Sequence, residues 1–115
     1  MSNKFRRFSI TDLGSAELTS VMTVPSASTA LLKSAIVANK SGGTRNVKML
    51  YTPVTDAGTG TDVMLIPVEA VTANQSEDVI LNKNPIVLEG QDILKFEISG
   101  TSADVTVNVL LLDRN

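Results

Sequence analysis

Period-two alternation of apolar and polar residues dominates the second half of the chain. Val47, Met49 and Tyr51 fall on one side of an extended strand, with Asn46, Lys48 and Leu50 on the other. Leu94, Phe96 and Ile98 alternate with Lys95 and Glu97, and Val105, Val107, Val109 and Leu111 alternate with Thr106 and Asn108. Alternation of this kind predicts strands with one dry and one wet face, the pattern of an antiparallel sheet. Leu31 to Ala38, Val63 to Val68 and Leu110-Leu111-Leu112 are apolar on both sides. Such runs fit strands that are fully buried, or strands whose second face meets another subunit.

Turn chemistry separates the runs. Asn39-Lys40-Ser41-Gly42-Gly43, the longer Thr55–Asp62 stretch, Asn82-Lys83-Asn84-Pro85, Glu89-Gly90-Gln91-Asp92 and Ser99-Gly100-Thr101-Ser102 recur roughly every ten residues, the spacing of a sandwich or barrel. Gly42 and Gly43 are expected to supply positive φ in their turn. Residues 12–24 contain some helix formers, but Thr19, Val21, Thr23 and Val24 are β-branched and Pro25 ends the run, so its second half reads as strand. Ser26 to Ala30 reads as loop. Strands are expected near 16–24, 31–39, 45–53, 63–71, 77–81, 85–88, 92–98 and 103–112. Pro53 and Pro67 each remove a ladder donor, which places them at a strand end, an edge or a bulge. The expected fold is all-β: an antiparallel, jelly-roll-like β-sandwich of about eight strands over residues 12–115, with an extended N-terminal arm over residues 1–11.

Composition narrows the chemistry. The 115 residues carry a formal net charge of −2 and contain no Cys and no His. Disulfides, thiolate catalysis and cysteine zinc sites are thereby excluded, and the usual general base near neutral pH is missing. A Ser nucleophile would need Lys33 or Lys95 as helper, and both sit in strand patterns as outward-facing or edge residues. Only Phe5, Phe8, Tyr51 and Phe96 are aromatic, which argues against stacking on bases or sugars. The net charge argues against nucleic-acid binding by the chain as a whole. No long apolar run suggests a membrane span, and an aqueous compartment is expected.

Three local groups are candidates for chemistry. Glu89 with Asp92, and Glu77 with Asp78, are close in sequence and read as solvated turn residues rather than as a carboxylate pair facing across a cleft. The Asp56–Asp62 loop has oxygen ligands for calcium but not the EF-hand spacing, and its glycines lack the Lys-Ser/Thr ending of a phosphate loop. In the arm, Lys4, Arg6 and Arg7 interleave with Phe5 and Phe8. It reads first as an anchor strand pairing with a neighbouring subunit, and otherwise as a phosphate-contacting segment or a frayed terminus.

Leu31 to Gly42, Leu65-Ile66-Pro67, Pro85 to Leu94 and Gly100 to Val109 together resemble small β-sandwich virion proteins of tailed bacteriophages. In that type a strand ending in Ala-Asn leads into a Gly turn, a Leu-Glu-Gly turn precedes a strand, and a Thr/Val-rich strand closes the domain. The resemblance spans roughly residues 29–113. It implies a ring-like homo-oligomer docked on other virion proteins, as capsid decoration, head-spike base, or neck or tail component. It implies no enzyme activity, cofactor, metal or small-molecule substrate, and a place in the virion after synthesis in the host cytoplasm. The arm, which lies outside the resemblance, contributes Phe5, Arg6, Arg7 and Phe8, and the apolar strand faces contribute Leu31, Ile36, Met64, Ile66, Leu110 and Leu112, as candidate oligomer and docking residues. The alternative is a β-module that recognises host-surface carbohydrate.

Overall fold

The computed structural model describes residues 3–13, 18–55, 58–59, 61–81, 86–100 and 103–113. Eleven strands appear among them: β1 Asn3–Leu13, β2 Thr19–Thr23, β3 Ser28–Asn39, β4 Arg45–Thr52, β5 Val54–Thr55, β6 Gly58–Thr59, β7 Val63–Val71, β8 Ser76–Asp78, β9 Ile86–Leu88, β10 Ile93–Ile98 and β11 Ala103–Asp113. They form two antiparallel sheets. One has the order β1-β11-β3, with β8 and β9 both pairing along the far side of β3; the other has the order β2-β10-β4-β7. β5 and β6 make a separate two-stranded ribbon. With β8 and β9 taken as one interrupted strand, eight strands fill the two sheets, four in each, and this is the jelly-roll order.

The core lies between the sheets, and the alternating residues build it. Val105, Val107, Val109 and Leu111 of β11 and Ala30, Leu32, Ala35 and Val37 of β3 face Val47 and Met49 of β4 and Leu94, Phe96 and Ile98 of β10. Phe96, Met49, Leu94 and Ile98 are fully buried. Full burial of each such side chain contributes about 1.5–3 kcal/mol, which explains how a chain without disulfides holds two sheets together.

Two expectations about the ends of elements change. Residues 28–30 belong to β3 rather than to a loop. A turn closes at Pro25–Ser28, where the Ser28 amide donates to the Pro25 carbonyl at 3.0 Å, and the Ser28 hydroxyl donates to Asp113 Oδ1 at 2.9 Å. Gly42 and Gly43 do not take positive φ; among the described residues Asn74 (58°), Gln91 (73°) and Gly100 (87°) do. The 39–43 turn is organised instead by Asn39, which is buried. Its Nδ2 donates to the carbonyls of Gly43 (2.9 Å) and Val71 (3.0 Å), and its Oδ1 accepts from the amide (2.9 Å) and hydroxyl (2.7 Å) of Ser41.

The prolines sit where a lost donor is tolerated. Pro53 follows the last residue of β4. Pro67 lies on the edge strand β7, inside the register irregularity where Val47 pairs with Glu69 but Met49 pairs with Ile66.

Candidate assembly face

β1 carries the first correction. Residues 3–13 pair antiparallel with β11 of the same chain, from Asn3 opposite Leu112 to Leu13 opposite Ala103. The segment expected to be held out to a neighbour is therefore an intramolecular edge strand. Its alternation supplies the reason for Phe8 and Ile10, which pack against the core, and a register shift after Ile10 brings Leu13 into it.

Cross-strand partners share a face of the sheet, so register and burial together assign each side chain of the β1-β11-β3 sheet. The inner set is the core described above. On the outer face, Phe5 of β1 pairs with Leu110 of β11, Leu110 pairs with Leu31 of β3, and Leu31 pairs with Val87 of β9. These four side chains form one apolar row across four strands. Its two ends are open, with Phe5 77% and Val87 56% exposed, and Leu110 and Leu31 are partly exposed between them. The neighbouring rows are Asn3–Leu112–Thr29 on one side and Arg7–Asn108–Ser34 on the other. Beyond the latter, Ser9, Thr106 and the 38%-exposed Ile36 continue the face. Asn108 Nδ2 donates to Ser34 Oγ at 2.8 Å, so the polar flank is tied down rather than loose. Lys33 is the extra residue where the β3–β11 register shifts. It lines a shallow dish with Phe5, Arg6, Arg7, Asn108 and Val109.

Six of the ten candidate residues thus meet on one surface: Phe5, Arg7, Leu31, Ile36, Leu110 and Leu112. The other four do not. Phe8 turns toward the core, and Arg6 alternates to the opposite side of β1 at the margin of the sheet. Met64 is exposed on the outer face of the other sheet, opposite Leu50. Ile66 is only 4% exposed and opposes Met49 inside the core, so it is not available to a partner. The residue that sequence reading missed is Val87. The short apolar run Ile86-Val87-Leu88 was legible as a strand, but which of its residues faces outward follows only from its pairing with β3.

The outer face of the β2-β10-β4-β7 sheet has a different character. Lys48 lies 3.8 Å from Glu97, and Lys95 lies 3.4 Å from Asp62. Exposed pairs like these contribute about 0–1 kcal/mol each, and they keep this face wetted. The Thr52 hydroxyl also donates to Asp62 Oδ1. That hydrogen bond and, after it, the Lys95 charge outweigh desolvation and hold the Asp62 carboxyl below its ordinary range. Lys95 is thus an outward-facing structural cation on an inner strand.

Asp92 and Asp78 are also structural. Asp92 is buried rather than solvated, and its Oδ2 accepts from the Glu89 amide at 2.9 Å, closing the 89–92 turn. Asp78 Oδ1 accepts from the amides of Ala35 (3.1 Å) and Ile80 (3.2 Å). Asp56, Ala57 and Gly60 of the candidate calcium loop lie outside the described residues. Among the described residues no group of three or more acidic side chains could hold a metal ion. Of the four rings, Phe96 is buried, Phe8 and Tyr51 pack against the core, and Phe5 stands on the outer face. They make no platform for a sugar.

The fold is similar to several solved structures. A chain of the Bacillus endospore appendages, which form disulfide-linked pili, superposes with a TM-score of 0.55 at 8% identity, over 96% of this chain and 84% of that one. A chain of the T13 IBDV viral particle gives 0.56 at 12% identity, over 95% and 31%. A chain of the infectious bursal disease virus Gx strain gives 0.51 at 12% identity, over 96% and 37%. The chain spans about a third of the length of these viral chains. At such identities the likeness is one of fold, and it agrees with the antiparallel sandwich expected from the sequence. No family model and no curated protein matches the chain.

Proposed function

We propose that this chain is a non-enzymatic structural subunit of a bacteriophage particle. There it assembles with copies of itself and docks on other virion proteins, as capsid decoration, spike base, or neck or tail component. The observation that carries this reading is the apolar row Phe5–Leu110–Leu31–Val87 on the outer face of the β1-β11-β3 sheet. A contiguous apolar surface with a polar surround is the anatomy of a protein interface. The sandwich shared with viral particle chains and with a pilus chain supports a building-block role. The tailed-phage assignment rests on the sequence resemblance of residues 29–113. The disulfide link named for the Bacillus pili does not carry over, because this sequence has no cysteine. A carbohydrate-binding reading lacks the exposed rings it needs.

Light scattering of the purified chain tests self-assembly, with an oligomer expected at about 100 µM, where even a modest interface associates. A monomer at that concentration would overturn the self-assembly reading. Mass spectrometry of purified particles tests the virion assignment, and absence of the chain from them would overturn it.

A further inference from the structure

The charges around the apolar row specify how two copies would meet on it. On one side of the row, at β3, stands the exposed Lys33, with Arg7 near it on β1. On the other side, also at β3, Thr29 Oγ1 donates to Glu89 Oε1 at 3.1 Å, which holds the Glu89 carboxylate over that row. Cation and anion therefore flank the same apolar line at the same strand.

Resting on the self-assembly reading above, we infer that the outer face of the β1-β11-β3 sheet binds the same face of a second copy, about a two-fold axis that runs along the row Phe5–Leu110–Leu31–Val87. Rotation about that axis exchanges the two flanks. Each row residue then packs on its own counterpart, and Lys33 of each copy lies over Thr29 and Glu89 of the other, twice per dimer. The other two-fold axis in the plane of the face runs along the strands. It lays the Arg7–Lys33 flank on itself, cation against cation, and is disfavoured. Size agrees. β11 and β3 run 11 and 12 residues. At about 3.4 Å per residue and about 4.8 Å between strands, a four-stranded face offers on the order of 700 Å². A standard interface takes about 800 Å² from each partner. The contact closes on itself, so a ring would be built from such dimers through a second, different surface.

The test uses the full chain, which has no native cysteine to interfere. Leu110→Cys and Leu31→Cys, both on the axis, should each give a covalent dimer with a short bismaleimide spanning about 10 Å, the distance between stacked sheets. Val68→Cys, exposed on the other sheet, should not. Lys33→Glu should raise the dissociation constant of self-association about tenfold, since two like-charge contacts form per dimer, and Lys33→Glu combined with Glu89→Lys should restore it. Circular dichroism confirms that each variant is folded. Self-association that persists unchanged in Lys33→Glu, with no cross-link at positions 31 or 110, overturns this geometry and leaves self-assembly standing. A monomeric wild type overturns both. A monomer that retards a single-stranded DNA probe through Arg7 and Lys33 overturns it in favour of a nucleic-acid surface.

Discussion

At the scale of single residues, the polar side chains of this chain are mostly fasteners. Asn39 is the strongest example, because five hydrogen bonds converge on one buried amide. Asn39→Ala leaves the Val71 carbonyl and the Ser41 amide without their partner and should cost about 2–4 kcal/mol, read as a shift in the urea midpoint with an unchanged slope. The Ala-Asn-then-Gly signature in the sequence thus has a physical cause in the asparagine, whereas the glycines do not adopt the conformation expected of them. Asp62 links folding to pH. Its carboxyl is held below the ordinary value of 3.8, first by the Thr52 hydroxyl and then by Lys95. The folded state therefore favours the ionised form, and that stabilisation is present above 3.8 and is lost as pH falls through the lower folded value. Thermal melts of wild type and Asp62→Asn should converge on acidification through this window; a constant gap would contradict the assignment.

At the scale of elements, β1 shows how an edge strand can be mistaken for an arm. Its charges, Lys4, Arg6 and Arg7, interleaved with Phe5 and Phe8, read in the sequence as a segment reaching outward. Its alternation also places Phe8 and Ile10 on one face, the register irregularity after Ile10 turns Leu13 to the same side, and in the fold that face closes over the core. Deleting residues 1–8, which a docking arm would survive, should instead expose the flank of β11. A loss of about 3–5 kcal/mol of stability is expected from removal of Phe8 and most of the β1 ladder, measured by chemical denaturation. Retention of full stability would return β1 to the role of an arm. β7 makes the converse point. Its apolar run, Val63 to Val68, reads as a strand either fully buried or covered on its second face by another subunit; as an edge strand bulged at Pro67 it leaves Val63, Met64 and Val68 exposed, buries Ile66 and packs Leu65 partly against the core.

At the scale of the whole molecule, two sheets of unequal surface character share one core. The β2-β10-β4-β7 sheet carries two ion pairs outside and exposes Met64 and Val68 on its edge strand, and the β1-β11-β3 sheet presents an apolar row that crosses four strands. Leu110→Asp places a charge in the middle of that row and should weaken self-association by about 2 kcal/mol or more, roughly thirtyfold, with little loss of stability because Leu110 lies outside the core. Sedimentation at several concentrations distinguishes this from unfolding. An equal effect from Met64→Asp, on the opposite sheet, would show that the face had been misassigned.

Apart from β1 and the short β5 and β6, the strands, their approximate limits and the all-β class were written in the sequence, because a period of two and regularly spaced turn residues are local properties that each segment carries in itself. The absence of His and Cys is likewise a property of the sequence alone. Pairing is not local. The partnership of β1 with β11, the interruption of one strand into β8 and β9, and the bulges at Lys33 and Pro67 depend on contacts between residues far apart in the chain. Those pairings decided which apolar residues became core and which became surface. Ile66 and Val87 are both aliphatic residues in short apolar runs. Only the register of β7 on β4 buried the first, and only the register of β9 on β3 aligned the second with Leu31, Leu110 and Phe5.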